Sequence, residues 1–170
     1  MEPETIKFKL HYSSAYKKRL IIDLSIMGAG VLFLLIGTII YSPWSHLIIP
    51  CFLLVLYLFR ILELPLTVTA DTEGITARCV IGKTKIKRSE IVSIQPLSDF
   101  DGSVQLKWWY GYKVRIGGKT LLPVPAFVTD DKHIAVVTVK RPKSTAYQYG
   151  ISCPDEATLA QLCQWGNERS

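Results

Sequence analysis

The chain has 170 residues, 49% of them apolar, with a mean hydropathy of +0.24 and a formal net charge of +6. That length allows one ordinary domain with a little left over, and the positive hydropathy asks for a membrane segment beside it. Cys51, Cys79, Cys153 and Cys163, with His11, His46 and His133, lack the close spacing of a redox pair or zinc site, so the thiols read as reduced or buried.

Residues 1–19 form a basic N-terminal segment, with Lys7, Lys9, Lys17, Lys18 and Arg19 set against Glu2 and Glu4. Residues 20–65 then read as a transmembrane hairpin. Its first helix, about 20–41, has no charge after Asp23 and exceeds the eighteen residues needed to cross a bilayer. Gly28, Ala29, Gly30 and Gly37 on it permit close helix–helix approach or are simply tolerated there. The second helix, about 44–62, reaches spanning length only with Trp44 at one end and a snorkelling Arg60 at the other. Pro50 falls in its first turns, where a lost backbone donor costs least.

Lys17, Lys18, Arg19 and Arg60 flank one end of this hairpin, and Tyr41 and Trp44 anchor the uncharged turn at the other. The positive-inside rule then predicts that both termini are cytoplasmic. The first apolar run is too long for a cleaved signal peptide, and a second follows at once. Asp23 and Arg60 lie at the same boundary, where snorkelling or an ion pair accounts for them.

From Leu66 to Ser170 the pattern predicts a cytoplasmic, mainly-β domain. "LTVTA" alternates, "DTEG" is a turn, and "ITARCVI" and "KTKIKR" form a hairpin split by Gly82. "EIVSIQPL" is a further strand and "DFDGS" a turn. "VQLKWWYGYKVRI" reads as one long strand ending in a Gly117–Gly118 turn, with a bulge or bend at Gly111. "KHIAVVTVKR" and "TAYQYGIS" complete about seven strands. "CPDEATLAQLCQWGNE" changes to helical spacing, with Leu159, Leu162, Cys163 and Trp165 on one side. A partly open barrel or orthogonal sandwich capped by a C-terminal α-helix is the expected architecture.

"TADTEGITARCVIGKTKIKRSEIVSIQPL" and "TAYQYGISCPDEATLAQL" resemble the opening and ending of bacterial pleckstrin-homology-like (PH-like) domains. Gly74, Ile75, Glu90 and Ile91 carry the first resemblance, and a Ser-x-Pro-Asp-like helix start carries the second. Two helices followed by this domain is also similar to small bacterial inner-membrane proteins of that group. The resemblance covers about 105 residues. It implies a fold without a catalytic signature or cofactor; in many eukaryotic relatives, basic residues near the first hairpin bind phosphoinositides. Fold alone does not give function.

Three surfaces are candidates for function. Lys83, Lys85 and Lys87 share one strand face next to Arg88, a row suited to anionic headgroups or to plain solvent. In an extended strand 106–116, Trp108, Tyr110 and Tyr112 fill the core. Trp109, Lys113 and Arg115 then face a membrane interface or a partner. "LLPVPAF", Leu121–Phe127, is a buried strand end or a partner-binding stretch. A phosphate loop, a metal loop and a nucleophile context are each missing, and the aromatic strand lacks the arrangement that nucleic-acid recognition needs.

The expected function is therefore non-enzymatic. A PH-like domain is held at the cytoplasmic membrane surface as a recognition or scaffold module for a protein partner. An anionic-lipid sensor and an accessory subunit of a membrane transporter are the alternatives.

Overall fold

The computed structural model describes residues 5–41, 48–62, 64–100, 102–107, 111–116, 119–120, 127–140 and 147–168. The side chains of residues 41, 60, 107, 111, 119 and 120 lie outside that description. The predicted turn around Trp44, the Gly117–Gly118 turn, the residues Trp108, Trp109 and Tyr110, and most of "LLPVPAF" also lie outside the described residues.

The element order is β1 (Ile6–Lys9), α1 (Ser14–Tyr41), α2 (Ile48–Leu62), β2 (Pro65–Asp71), β3 (Gly74–Cys79), β4 (Lys83–Lys87), β5 (Ile91–Pro96), β6 (Gly102–Lys107), β7 (Gly111–Ile116), β8 (Lys119–Thr120), β9 (Ile134–Val139), β10 (Tyr147–Ser152) and α3 (Glu156–Asn167). The strands form three antiparallel sheets with orders β1-β2-β3-β4, β10-β9-β5 and β6-β7-β8. One long apolar helix near the N-terminus, a mainly-β body and a C-terminal helix thus match the sequence reading.

α1 has the length and composition to cross a membrane, and few residues of its most apolar stretch are buried within the protein. Ile21, Ile26, Leu32, Phe33 and Ile39 stand exposed on it. α2 is apolar but has fifteen described residues, about 22 Å of helix against a hydrocarbon core of about 30 Å. The two helices touch where Gly28 faces Tyr57, whose Oη would lie 3.4 Å from an added Cβ.

Two expectations are corrected. The N-terminal segment is not separate from the β domain. Ile6–Lys9 pair with Thr67–Ala70, so the helices are inserted between neighbouring strands of one sheet. The apolar alternation of Ile6, Phe8 and Leu10 is a half-buried strand. It was legible as a period of two but too short to stand out. Further, the predicted single strand across "VQLKWWYGYKVRI" is two strands. β6 and β7 pair with Lys107 opposite Gly111.

The main core lies between the first two sheets and α3. Phe8, Val68, Ala70, Ile75, Ala77 and Ile86 come from one sheet, Ile94, Val137, Val139 and Ile151 from the other, and Leu162 from the helix. Asp155 caps α3 by accepting from the Thr158 backbone N–H at 2.7 Å, which holds its carboxyl below the usual carboxylate range. β9 is buried on both faces, which explains its unbroken "IAVV" run.

A second core joins α1 to the body. Tyr16 is only 3% exposed and packs with Tyr112, Val114, Val128 and Ile134. Its ring stacks on Tyr112 at 5.9 Å, and Ser13 Oγ lies 2.8 Å from Tyr112 Oη. The His11 carbonyl accepts from Thr129 Oγ1 at 2.5 Å, and the Ser13 N–H donates to the Thr129 carbonyl at 3.0 Å. Ser152 Oγ completes this buried hub by accepting from the N–H groups of Thr129 and Asp130. The first turn of the long helix is therefore built into the domain.

Candidate functional site

The period of two places alternate residues of each strand on opposite sheet faces. The registers of the first sheet then stack these residues into rows across it. On the buried side, Phe8, Val68 and Ala77 align, as do Ile6, Ala70, Ile75 and Ile86. On the outer side, Lys9, Thr67, Arg78 and Lys83 form one row, and Lys7, Thr69, Thr76 and Lys85 form the next. Asp71, Gly74 and Lys87 form a third. One face thus gathers six cations from three strands, with Asp71 as its only strand acid. Its ammonium, guanidinium and hydroxyl groups are hydrogen-bond donors of the kind that anionic groups accept.

The sequence reading found Lys83, Lys85 and Lys87, and all three are exposed around a buried Ile86. It missed Arg78 and separated Lys7 and Lys9 from the row. No local signal could have joined Lys7 and Lys9, because β1 and β2 are adjacent only in space; the register of the β3–β4 hairpin, in which Arg78 faces Lys83, was the signal for Arg78. The row also has a direction. β4 starts at the turn beside the end of α2 and runs away from it, so Lys87 lies about 13 Å beyond Lys83.

The lysines are not equivalent. The Lys85 ammonium donates to Glu73 Oε2 in an ion pair, and this hydrogen bond holds Lys85 above the usual lysine range. Glu73 is positioned by the "DTEG" turn, where Asp71 Oδ1 accepts from the N–H groups of Glu73 and Gly74 at 2.8 and 3.2 Å.

Arg88 has a structural task. Its Nη2 donates to the Trp165 and Gly166 carbonyls at 2.5 and 3.3 Å, and its guanidinium lies 3.7 Å from the centroid of the Trp165 ring. It therefore satisfies carbonyls that the last turn of α3 leaves without intrahelical partners, and it adds positive charge at that end. Arg88→Ala is expected to cost about 2 kcal/mol in thermal unfolding, whereas Lys87→Ala, exposed one residue away, changes stability by about 0.5 kcal/mol or less. Equal effects would remove Arg88 from this clamping role.

Lys113 and Arg115 lie on β7 of the third sheet, so they belong to a different sheet from the lysine row. Trp109 and Trp44 lie outside the described residues, as do the side chains of Tyr41 and Arg60. Lys17 and Lys18 are exposed on the first turns of α1, and Arg19 Nε approaches Asp23 Oδ1 at 3.5 Å. Asp23 thus has an ion-pair partner on its own helix, while its expected relation to Arg60 falls on a side chain outside the description. Gly30 and Gly37 face open space, unlike Gly28.

All four cysteines are free. Burial pushes the Cys153 thiol up to about 12 and raises that of Cys163, which disfavours the reactive thiolate at both.

Comparison of the chain with protein-family models, with curated proteins and with solved structures gives no match. The functional reading therefore rests on the sheet face and its relation to the helices.

Proposed function

We propose that the chain is a membrane-anchored, non-enzymatic recognition protein. In this reading α1 and α2 form a two-span hairpin in a bacterial inner membrane, and both termini are cytoplasmic. The β body is a PH-like domain that offers the outer face of the first sheet to an acidic protein partner at the membrane surface. The carrying observation is the convergence of Lys7, Lys9, Arg78, Lys83, Lys85 and Lys87 on that face.

The adjacency of β1 and β2 supports the hairpin, because it brings the start of α1 and the end of α2 to one edge of the domain. Lys17, Lys18 and Arg19 at that edge favour the cytoplasmic side. Tyr16, Ser13 and Tyr112 fix the domain on its helix, so the face has a set orientation as well as a high local concentration.

Zero-length carboxylate–amine crosslinking in native membranes tests this. The expected result is a defined acidic protein joined through Lys85 or Lys87. The Lys85→Glu, Lys87→Glu double variant loses that product, and the wild-type product falls about tenfold in high salt. A wild-type chain that forms no such product, or one unaffected by the charge reversal, would overturn the protein-partner reading. The second reading, contact with anionic lipid, is favoured by one observation: the Lys9–Thr67–Arg78–Lys83 row is the one nearest the helical end of the sheet.

A further inference from the structure

The β3–β4 turn breaks the rule that governs turns. Tight turns favour Gly, Asn, Asp, Ser and Pro, and this one carries Val80 and Ile81 at its tip, 48% and 66% exposed. Only Gly82, at φ +95°, is a conventional turn residue. The Cys79 N–H closes the turn on the Gly82 carbonyl at 3.1 Å. A strand-forming aliphatic pair at a water-exposed tip gains nothing from folding; in an apolar medium it gains the transfer energy of both side chains.

The position of the turn supplies that medium. The Ile81 N–H donates to the carbonyl of Leu62, the last residue of α2, at 3.0 Å. The Val80 N–H donates to Leu64 at 3.2 Å. The tip is therefore strapped to the point where the apolar helix passes into the β body. Leu66, at a bulge on the neighbouring strand, is 46% exposed and extends the same apolar rim.

Immediately above this rim stands the first cationic row. Arg78 and Lys83 are direct cross-strand partners, so their Cβ atoms are about 5 Å apart. Like charges held opposite one another are destabilising unless an anion lies between them. Lys9 lies two strands further along, about 10 Å from Arg78, and Thr67 stands between them with a hydroxyl donor. An apolar tip with cations one step higher matches the depth profile of a bilayer interface, where acyl chains lie below phosphates.

We infer that the β3–β4 turn inserts Val80 and Ile81 into the bilayer interface, and that Arg78, Lys83 and Lys9 bind the phosphate of an anionic lipid headgroup directly above it. The inference rests on the reading that α1 spans the membrane. The turn adds a further attachment to the one through the helices, and the two together fix the tilt of the domain. Lys85 and Lys87, higher on the sheet, then remain turned toward the cytoplasm.

The full chain in lipid nanodiscs provides the test. Benzoylphenylalanine is placed singly at Ile81, at Ile36 in α1, and at Thr72 in the β2–β3 turn at the far end of the sheet. Photolysis and mass spectrometry then read the lipid adducts. Adducts are expected at Ile36 and Ile81 and not at Thr72. In discs of mixed phosphatidylcholine and phosphatidylglycerol, the Ile81 adducts should be enriched about fivefold in the anionic lipid, the ratio that one cation near an anionic surface supplies. The Arg78→Glu, Lys83→Glu double variant should lose this enrichment and keep the adduct. Labelling at Ile36 without labelling at Ile81 would overturn the insertion. Enrichment that survives the double variant would overturn the headgroup site. Absence of adducts at Ile36 would sink the spanning reading itself, and the inference with it.

Discussion

A fragment running from Leu66 to Ser170 is expected to aggregate, although the sequence alone makes it look like the natural soluble domain. It lacks β1, and so it exposes the N–H and C=O groups along the edge of β2. Such bare edges pair with other chains. It also lacks Phe8, Leu10 and Tyr16, all buried in the two cores. At about 2 kcal/mol for each large side chain, their removal costs roughly 6 kcal/mol, comparable with the whole stability of an ordinary domain. The Thr129–Ser152 hub would lose the His11 carbonyl and the Ser13 N–H as well. By contrast, residues 5–19 joined through a flexible linker to residues 64–170 are expected to give a soluble monomer with a cooperative thermal transition. Size-exclusion chromatography and calorimetry of the two proteins check this. A monomeric, cooperatively unfolding 66–170 fragment would show that β1 is dispensable.

Gly74→Val is expected to be the most damaging single substitution in the β body. Gly74 has φ +138°, a conformation that side-chain-bearing residues rarely adopt. An added Cβ would lie 2.0 Å from the Ile86 carbonyl oxygen and 2.7 Å from the Arg88 nitrogen. Both are backbone atoms. The Arg88 N–H is held by the Glu73 carbonyl at 2.9 Å, so the neighbouring strand cannot withdraw without breaking the β3–β4 register. A loss of about 3 kcal/mol or more is expected, with a fall in Tm of about 10 °C or more in the linked domain. Gly82→Asn is the matched control. Gly82 also has a positive φ, but nothing lies within 4 Å of its added Cβ, so only the backbone preference is lost, about 1 kcal/mol. A Gly74→Val protein that melts within about 2 °C of the parent would refute the steric account.

The turn at 71–74 was legible from "DTEG" because its devices are local: an Asp that bonds its own downstream amides and a Gly that accepts positive φ. β2, β4, β5, β9 and β10 fall where period and turn residues placed them, and α3 falls where the spacing becomes helical. The long strand through "KWWYGYKVRI" was misread, because aromatic and β-branched content continues across 104–116 while the pairing reverses between Lys107 and Gly111. Of the site, the sequence showed Lys83, Lys85 and Lys87 on one face, and it could not separate them from Arg88, whose role depends on a helix 77 residues downstream.

By itself, then, the sequence determined an apolar helix of membrane-spanning length, a mainly-β body and a C-terminal helix. Each of these is written in a local period or in a composition of twenty residues or fewer. The tertiary structure decided that β1 belongs to the body, that Tyr16 locks α1 onto β7, and that Lys7 and Lys9 join the lysine row. These follow from contacts between segments about sixty or more residues apart. Strand register across such distances is set by which buried faces fit together, and no window along the chain contains that information.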